Sequence, residues 1–419
     1  MESDTTVSND TNSKGNEKSS SGRGGLSTTL NNSPVRKVVA VFLIAAIFYT
    51  VLFFIMSSIN FGADFVGNLT GPNARSHPDI AFYQERTEGI LEGQIPYLDF
   101  YSESPPLIMY LMVPAALMGG TVGSYAILFS IYVFITAALM VLLLWRIEPQ
   151  YAIRSATFYL FNPITWITAL IFVQDETIVA LFYVLPVLLL MIGMAKTATF
   201  ASILGAFTKV FSVVLIPLTL IRQKAAEAKK SIVIIVATAA AVCVPFVIAA
   251  GEDFIFFIRY YLSQTGEAGL AEGISIWRVL HDVGIIVPGA LLQSLLLIST
   301  LLMLCYIWKK GIDPVKGAYL LILPFFLFFP KIFTCYFIIP YSVLCLLVNS
   351  DRLQPYLITV AMGLAFFVQM FNSYDGEPSV LPMEGLWAIL PITAALAMHA
   401  ILIYIAYRQV KGTNHASVA

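Results

Sequence analysis

Six carboxylates and one arginine lie in the segment 78–107, PDIAFYQERTEGILEGQIPYLDFYSESPPL, of an otherwise strongly apolar chain. Asp79 follows a proline and precedes apolar residues at helical spacing, so we expect a helix that Asp79 caps and that ends near Gly93. If Asp79 only caps the helix, this structural role alone explains its presence. A carboxylate held beside an extended aromatic segment can also act as a base and take a proton from a sugar hydroxyl.

Glu85 lies about two helical turns after Asp79 on the same predicted helix. The N-terminal end of a helix favours the ionised form of a carboxylate, so we expect Asp79 to be a weak base. A weak base suffices where the leaving group is a phosphate and the attacking hydroxyl loses its proton late. We therefore predict Asp79 as the catalytic residue, with Glu85 as the alternative.

Two lysines stand inside apolar runs, Lys209 in GAFTKVFSVV and Lys331 in FFPKIFTCYF. A charged side chain at membrane depth costs on the order of 3 kcal/mol, so it persists mainly where it faces a cavity and a partner. Alternatively, each lysine extends to a nearby lipid headgroup. A phosphate leaving group needs cationic donors, so we assign this role to Lys209, with Lys331 and Arg259 or Arg278 assisting.

The stretch FVQDETIVALF, residues 172–182, places three polar side chains between two apolar runs. In one interpretation this is a surface loop in which Asp175 caps the next helix and Glu176 lies in its first turn. In the other, Gln174, Asp175 and Glu176 point into the same outer cavity as the acidic segment. Both interpretations place these residues on the outer side of the membrane.

The composition identifies the class of protein, because 58% of the 419 residues are hydrophobic and 12% are charged. A soluble domain is about 45–50% apolar and about 25% charged, so the chain is expected to be a polytopic membrane protein. A net charge of −1 without a basic cluster excludes nucleic acid as a partner. The four cysteines lie in apolar runs and behave as small hydrophobic residues.

Residues 1–35 are polar and contain no aromatic residue, so we expect a disordered cytoplasmic tail there. The membrane domain is expected over 36–411, followed by a short cytoplasmic tail over 412–419. The sequence carries no P-loop, GxSxG, HExxH or dinucleotide-binding motif, and its histidines lack the spacing of zinc ligands. We therefore predict no metal site and no soluble-enzyme chemistry.

Connectors rich in Lys and Arg alternate with connectors rich in Asp and Glu along the chain, which sets the topology by the positive-inside rule. The outer side then holds the segment 59–121 and residues 174–176. The run 106–119 is short for a crossing and is predicted to lie along the interface. The runs 198–221 and 318–349 are each predicted to split into two passes, near Lys209 and Lys331. This makes eleven or twelve crossings with both termini in the cytoplasm.

The motif DIAFYQERTEGILEGQIPY followed by SPPL resembles the first outer loop of the GT-C glycosyltransferases. The likeness continues with FNP before QDETIVALF, with GAFTKVFSVVLIP and with PKIFTCYFIIP, so it covers most of the chain beyond residue 37. It implies an all-α GT-C-like bundle with a large first outer loop carrying interfacial helices. Asp79, which precedes Gly93 at the spacing of the family pattern, is implied to be the general base.

The resemblance also implies the reaction, the transfer of a hexose, with mannose the leading candidate, from a polyprenyl-phosphate donor with inversion. The acceptor is expected to be a lipid-linked or surface glycan, and the active site to face the non-cytoplasmic side of the cell membrane. Arg86, Tyr97 and Tyr336 lie in the matching motifs and are assigned to substrate binding. His77 stands where related mannosyltransferases have the first Asp of a D-x-D, so a divalent metal is doubtful.

A polytopic transporter or lipid flippase is the alternative, because lysines inside the membrane and broken helices also mark substrate pathways. Transport does not need a long acidic first loop, and we find no two-fold repeat of hydropathy. The transfer of a labelled sugar by purified protein separates the two functions.

Overall fold

The computed structural model describes residues 33–59, 78–264, 273–371 and 385–411. Within these ranges all regular secondary structure is helical, and extended backbone forms one isolated bridge, between Pro96 and Phe100. The expected tails lie outside the described residues, except that the first helix already begins at Pro34. Expectations for residues 265–272 and 372–384 also fall outside them.

Seventeen α-helices are described, and short π- or 3₁₀-helical turns join several of them. They are α1 (Pro34–Ser58), α2 (Pro78–Leu91), α3 (Pro106–Leu117), α4 (Val122–Leu144), α5 (Pro149–Phe161), α6 (Pro163–Trp166), α7 (Glu176–Met191), α8 (Ala195–Ala206), α9 (Leu215–Leu220), α10 (Ala225–Ala250), α11 (Phe256–Gln264), α12 (Ile276–Asp282), α13 (Gly289–Lys310), α14 (Pro314–Phe328), α15 (Ile338–Leu344), α16 (Leu353–Gln369) and α17 (Ile389–Lys411).

Among the described residues, five helical segments are long and apolar enough to cross a membrane: α1, α4, α13, α17 and the continuous stretch Ala225–Ser263, which starts with α10. Their outer faces carry large apolar side chains that are open to the surroundings, such as Phe54 on α1 and Ile248 on α10. Exposed apolar patches of this kind are rare on soluble monomers, and contact with the hydrocarbon of a membrane explains them. The chain is therefore an all-helical membrane protein, and shorter apolar helices fill the space between these five.

Helix α7 forms the centre of the bundle and packs against α4, α8, α14 and α15. Nearly all of its side chains are buried, including Tyr183, whose hydroxyl donates to the Ala318 carbonyl at 2.8 Å. A helix that is apolar all round buries every face, so α7 needs neighbours on all sides. Its first residue, Glu176, therefore starts inside protein.

The run 198–221 forms two helices, as predicted, with Lys209 in the break between α8 and the 3₁₀ turn Val210–Val214. Helix α8 and the 3₁₀ turn approach each other closely at Gly205, where an added Cβ would lie 2.8 Å from the Ser212 side chain. At the open end, Gln223 Nε2 donates to Thr199 Oγ1 at 3.0 Å. This helical hairpin brings both ends of the run to the same level of the bundle.

The predicted split of the run 318–349 is also confirmed. Helix α14 ends at Phe328, and a non-helical stretch that carries Lys331 leads into the 3₁₀ turn Thr334–Phe337 and α15. In this break the Ile332 carbonyl accepts a hydrogen bond from the Ile274 amide at 2.7 Å. The break is thus held by the backbone of the segment before α12.

Helices α2 and α3 span residues 78–117 and pack against each other. We call these residues the outer segment, after the side of the membrane that the sequence predicts for them. The short run at 106–119 is helical as predicted, and the Leu107 amide at its start donates to the Phe207 carbonyl at 3.0 Å, in the hairpin turn. The prediction that Asp79 caps its helix is wrong. Helix α2 begins at Pro78, because a proline needs no amide donor in the first turn, and Asp79 is its second residue.

The hairpin geometry predicts that single cysteines at Met194 and Lys224, both exposed, are labelled from the same face of the membrane by an impermeant maleimide. An intact hairpin returns the chain to the side from which it came. A cysteine at Glu85, which is exposed on α2, should be labelled from the opposite face. The native cysteines are first replaced by alanine. Labelling of Met194→Cys and Lys224→Cys from opposite faces would contradict the hairpin topology.

Candidate functional site

The carboxylate of Asp79 is half-buried and is held by a side chain far away in the sequence. Gln174 Nε2 donates to Asp79 Oδ2 at 2.8 Å, and the Tyr83 hydroxyl donates to Gln174 Oε1 at 3.3 Å. Asp79 and Tyr83 lie four residues apart on one face of α2, so a single amide bridges both of them. We call this arrangement the amide clamp, Tyr83–Gln174–Asp79. Because the phenol proton fixes the amide oxygen, the amide nitrogen faces the carboxylate.

The backbone before Gln174 is irregular, and this irregularity places the clamp. The π-helical turn Ile167–Ile171 is followed directly by Phe172, and the backbone N–H of Gln174 donates to the Thr168 carbonyl at 3.1 Å. Val173, between Phe172 and Gln174, has φ +49°, a conformation that a β-branched residue rarely adopts. π-Helical turns and strained residues cluster at functional sites, which supports a functional role for this turn.

Asp175 and Glu176 are almost completely buried, and both receive a hydrogen bond from Lys209. The distance from Lys209 Nζ to Asp175 Oδ1 is 2.9 Å. Asp175 occupies the N-cap position of α7 and Glu176 lies in its first turn, as in the first interpretation, but Asp175 makes no side-chain capping bond and neither residue is on a surface loop. That they face an outer cavity stays a prediction. These three residues form the acid–lysine cluster. It joins the start of α7 to the hairpin turn after α8.

The cluster has an unsatisfied carboxylate oxygen, since Glu176 Oε2 has no hydrogen-bond partner among the described residues. A fully buried polar atom without a partner costs about 1–3 kcal/mol, more when it is charged. Removing Lys209 alone would leave two buried carboxylates without a counter-ion, at a cost of about 3–5 kcal/mol. Loss of activity in a Lys209 variant therefore does not distinguish loss of ligand binding from loss of folding.

Burial raises the pKa of Asp79 above its ordinary value, and this contribution outweighs the others. The hydrogen bond from Gln174 and the charge of Lys209 lower this pKa, whereas the carboxylates of Asp175 and Glu103 raise it further. The expectation of a weak base was wrong, because it considered the helix end and not the surrounding protein. Asp79 is instead a stronger base than an exposed aspartate.

An aromatic pair links the acid–lysine cluster to Lys331. Lys209 Nζ lies 5.3 Å from the ring centre of Tyr336, whose ring lies 5.5 Å from that of Phe333. Lys331 Nζ lies 5.8 Å from the Phe333 ring and donates to the Tyr260 hydroxyl at 2.9 Å. The two lysines from the two predicted breaks therefore face the same pair of rings. Lys209 is fixed inside the protein rather than extended to a headgroup.

Arg86 and Tyr97 lie beside this site, within the outer segment. Arg86 Nη2 contacts Glu103 Oε2 at 2.5 Å and its Nη1 donates to Ser104 Oγ at 3.1 Å, while the Tyr97 hydroxyl donates to the Ser104 carbonyl at 2.7 Å. Both residues therefore hold the acidic stretch that follows α2. Their assignment to substrate binding stays a prediction.

Three predicted residues are not brought into the cluster. Glu85 is exposed on α2, and Arg259 is exposed on α11. Arg278 is buried in α12, where its Nε contacts Asp282 Oδ2 at 2.8 Å. Conversely, sequence reasoning missed Tyr83, although its position four residues after Asp79 marks it as sharing that face. It also missed Cys335, whose thiol lies beside Glu176.

Among the described residues, no group of three or more His, Cys, Asp or Glu side chains is arranged to hold a metal ion. No known protein-family model matches the chain, and no curated protein matches it. The fold and the site thus define the protein as an all-helical membrane protein with a buried acid–lysine cluster. The carboxylate of an outer helix is clamped against that cluster.

The amide clamp predicts how the titration of Asp79 responds to a change at Gln174. Gln174→Met keeps the size but removes a hydrogen bond to an ionised group, worth about 1.5–3 kcal/mol. The ionised form loses this stabilisation, so the pKa of Asp79 should move to higher pH. Infrared titration of ¹³C-aspartate-labelled protein measures this, with Asp79→Asn identifying the band.

Tyr83→Phe is the matched control for this titration, because it keeps the amide nitrogen beside Asp79 and removes only the bond that orients the amide. Its shift should have the same direction and be smaller. A pKa of Asp79 that stays unchanged in Gln174→Met would contradict the clamp.

Proposed function

We propose that the protein is a membrane glycosyltransferase that moves a hexose, with mannose the leading candidate, from a polyprenyl-phosphate donor to a glycan or glycolipid acceptor. The reaction proceeds with inversion, on the non-cytoplasmic side of the cell membrane, without a metal ion or other cofactor. The GT-C-like order of motifs in the sequence suggests this reaction. The observation that carries the proposal is the amide clamp, which holds one half-buried carboxylate of raised pKa at the junction of the outer segment and the bundle.

The chemistry requires one base and one good leaving group. Asp79 accepts the proton of the acceptor hydroxyl as its oxygen bonds to the anomeric carbon of the donor sugar. The bond from that carbon to the phosphate oxygen breaks from the opposite face, and its electron pair leaves with the lipid phosphate. A base of raised pKa suits this step, because it takes the proton more completely than an exposed carboxylate does. No carboxylate acts as a nucleophile.

The donor phosphate needs a cation, and the lysines of both breaks face the rings of Phe333 and Tyr336. Lys209 forms ion pairs with Asp175 and Glu176, and a phosphate near Lys209 would be repelled by these two carboxylates. We assign Lys209 to positioning the acid–lysine cluster. We assign the phosphate to Lys331, which lies on the other side of the rings of Phe333 and Tyr336. The sequence had suggested Lys209 for the phosphate, with Lys331 assisting.

The transport alternative draws support from the same cluster, because buried charges between two broken helices also occur on transport pathways. Purified protein in liposomes decides between the two functions. Movement of a polyprenyl-phosphate sugar between leaflets without formation of a glycosidic bond would favour transport. Glycosidic product made in detergent, where there are no two compartments, would favour the transferase.

Asp79→Asn should lower the transfer rate by about 10²-fold or more, the low end for the loss of a positioned base. An asparagine oxygen still accepts the hydrogen bond from Gln174, so the fold should be retained. Transfer of radiolabelled sugar from polyprenyl phosphate measures the rate, and size-exclusion chromatography checks the fold.

Glu85→Gln is the control for this loss, because it removes a carboxylate from the exposed face of the same helix. It should transfer sugar at nearly the rate of the unchanged protein. If the Asp79 variant is folded and active while the Glu85 variant is inactive, Asp79 is not the base.

Lys331→Met should raise KM for the donor about tenfold or more, since a charge-assisted hydrogen bond contributes about 1.5–3 kcal/mol. KM for the acceptor should change little. The variant keeps an apolar stem against Phe333, so packing is retained. Lys331→Arg retains a cation and should recover part of the donor affinity. An unchanged KM for the donor in Lys331→Met would assign the phosphate to another cation.

A further inference from the structure

A small pocket lies at the far end of the outer segment, between the turn after α2 and the start of α11. It has a volume of about 210 Å³ and is lined by aromatic rings together with carboxyl and hydroxyl groups. Pockets for drug-sized ligands measure about 300–1,000 Å³, so this one has room for a single ring. We call it the turn pocket, and its key residues are Tyr97, Asp99, Tyr101, Asp253 and Phe256.

The aromatic side of the turn pocket is formed by Tyr101 and Phe256, whose ring centres lie 4.5 Å apart. Tyr101 is 59% exposed and its ring is inclined by 59° to that of Phe256, so a face of the Tyr101 ring is open to a ligand. An open aromatic face next to polar groups is complementary to the C–H face of a pyranose ring.

The polar side of the turn pocket is formed by two carboxylates. Asp99, which lines the pocket, closes the turn by accepting a hydrogen bond from the Ile95 amide at its Oδ2, at 2.7 Å. The side chain of Asp253, in the 3₁₀ turn Gly251–Ile255, makes no hydrogen bond or ion pair with any described residue. Carboxylates accept hydrogen bonds from hydroxyl groups, and two of them in one pocket repel an anionic ligand.

The backbone of the turn pocket is held in a strained conformation. Tyr97 has φ +72°, and its ring is fixed by Phe254 at 5.1 Å and by the Ser104 carbonyl through its hydroxyl at 2.7 Å. A bulky residue with positive φ costs of order 1–3 kcal/mol and persists only where the surroundings impose it. Strain of this kind occurs at ligand sites, where the binding geometry is built in advance.

Glu103 directly follows Ser102, which lines the turn pocket. Its carboxylate is fixed by Arg86 at 2.5 Å, and its charge also acts on Asp79. The turn pocket and Asp79 belong to the same segment, so a glycan long enough to span both would present a hydroxyl to Asp79 and a further ring to the pocket.

We propose that the turn pocket binds one uncharged pyranose ring of the acceptor glycan, stacked on Tyr101 and Phe256 and hydrogen-bonded to Asp253 and Asp99. This inference rests on the proposed function, because it makes the acceptor a glycan of at least two rings. It predicts that the turn pocket binds neutral sugars in preference to hexuronates. Binding of a free sugar ring can be measured without any transfer reaction.

The test is saturation-transfer NMR on purified protein in a detergent without a sugar headgroup, with methyl α-mannopyranoside and methyl β-glucuronopyranoside as probes. The mannoside should receive saturation at its ring C–H protons, and the glucuronide should receive much less. Tyr101→Ala should reduce the mannoside signal about fivefold or more, and Tyr101→Phe should retain it. Asp253→Asn should reduce the discrimination against the glucuronide, whereas Glu252→Gln, which changes the neighbouring exposed carboxylate, should not.

The outcomes separate the turn pocket from the proposed reaction. No mannoside signal in the unchanged protein, or an equal signal in Tyr101→Ala, would overturn the pocket whatever the transfer assay gives. A mannoside signal that depends on Tyr101, in a protein that transfers no sugar from any polyprenyl phosphate, would keep the pocket and reject the transferase. Where transfer is observed, Tyr101→Ala should raise KM for the acceptor about fivefold or more.

Discussion

The ion pairs of Lys209 with Asp175 and Glu176 are the interaction on which the rest of the site depends. Three charges from two separate breaks in the bundle neutralise one another only where α7 and the hairpin turn meet. Since each charge alone would be costly at this depth, the cluster fixes the relative height of α7 and α8. The outer helix α2 is then attached to the same point through Gln174, one residue before the cluster.

Irregular backbone adjoins this cluster at three places. The π-helical turn and Val173 precede it, the hairpin break carries Lys209, and the non-helical stretch with Lys331 lies across an aromatic pair. In a bilayer such backbone is tolerated only where protein or a cavity satisfies its polar groups. The concentration of three breaks at one place therefore marks the interior of a polar site. A purely structural bundle would have continuous helices there.

Much of this arrangement was predictable from the sequence, for identifiable reasons. The break near Lys209 was indicated by the positive-inside rule, because a single crossing would place the basic run after residue 221 on the outer side. The break near Lys331 was indicated by the interruption FFPKIF in a run too long for one crossing. The meeting of Gln174 with Asp79 followed from the expectation that both lie on the outer side. The base strength of Asp79 did not follow, because burial depends on residues about a hundred positions away. Arg259 and Arg278 were assigned by charge alone, and charge carries no information on distance.

The bonds that attach the outer segment have a consequence for the order of assembly. Asp79 and its partner Gln174 are separated by 95 residues. At the usual rate of synthesis, about 5–20 residues per second, Gln174 is made about 5–20 s after Asp79, and α2 lacks this hydrogen-bond partner until then. During this interval the carboxylate of Asp79 is hydrated, and its acidity is that of an ordinary aspartate. Asp79 thus acquires its raised pKa only after Gln174 and α7 have been made and have packed against a segment synthesised earlier.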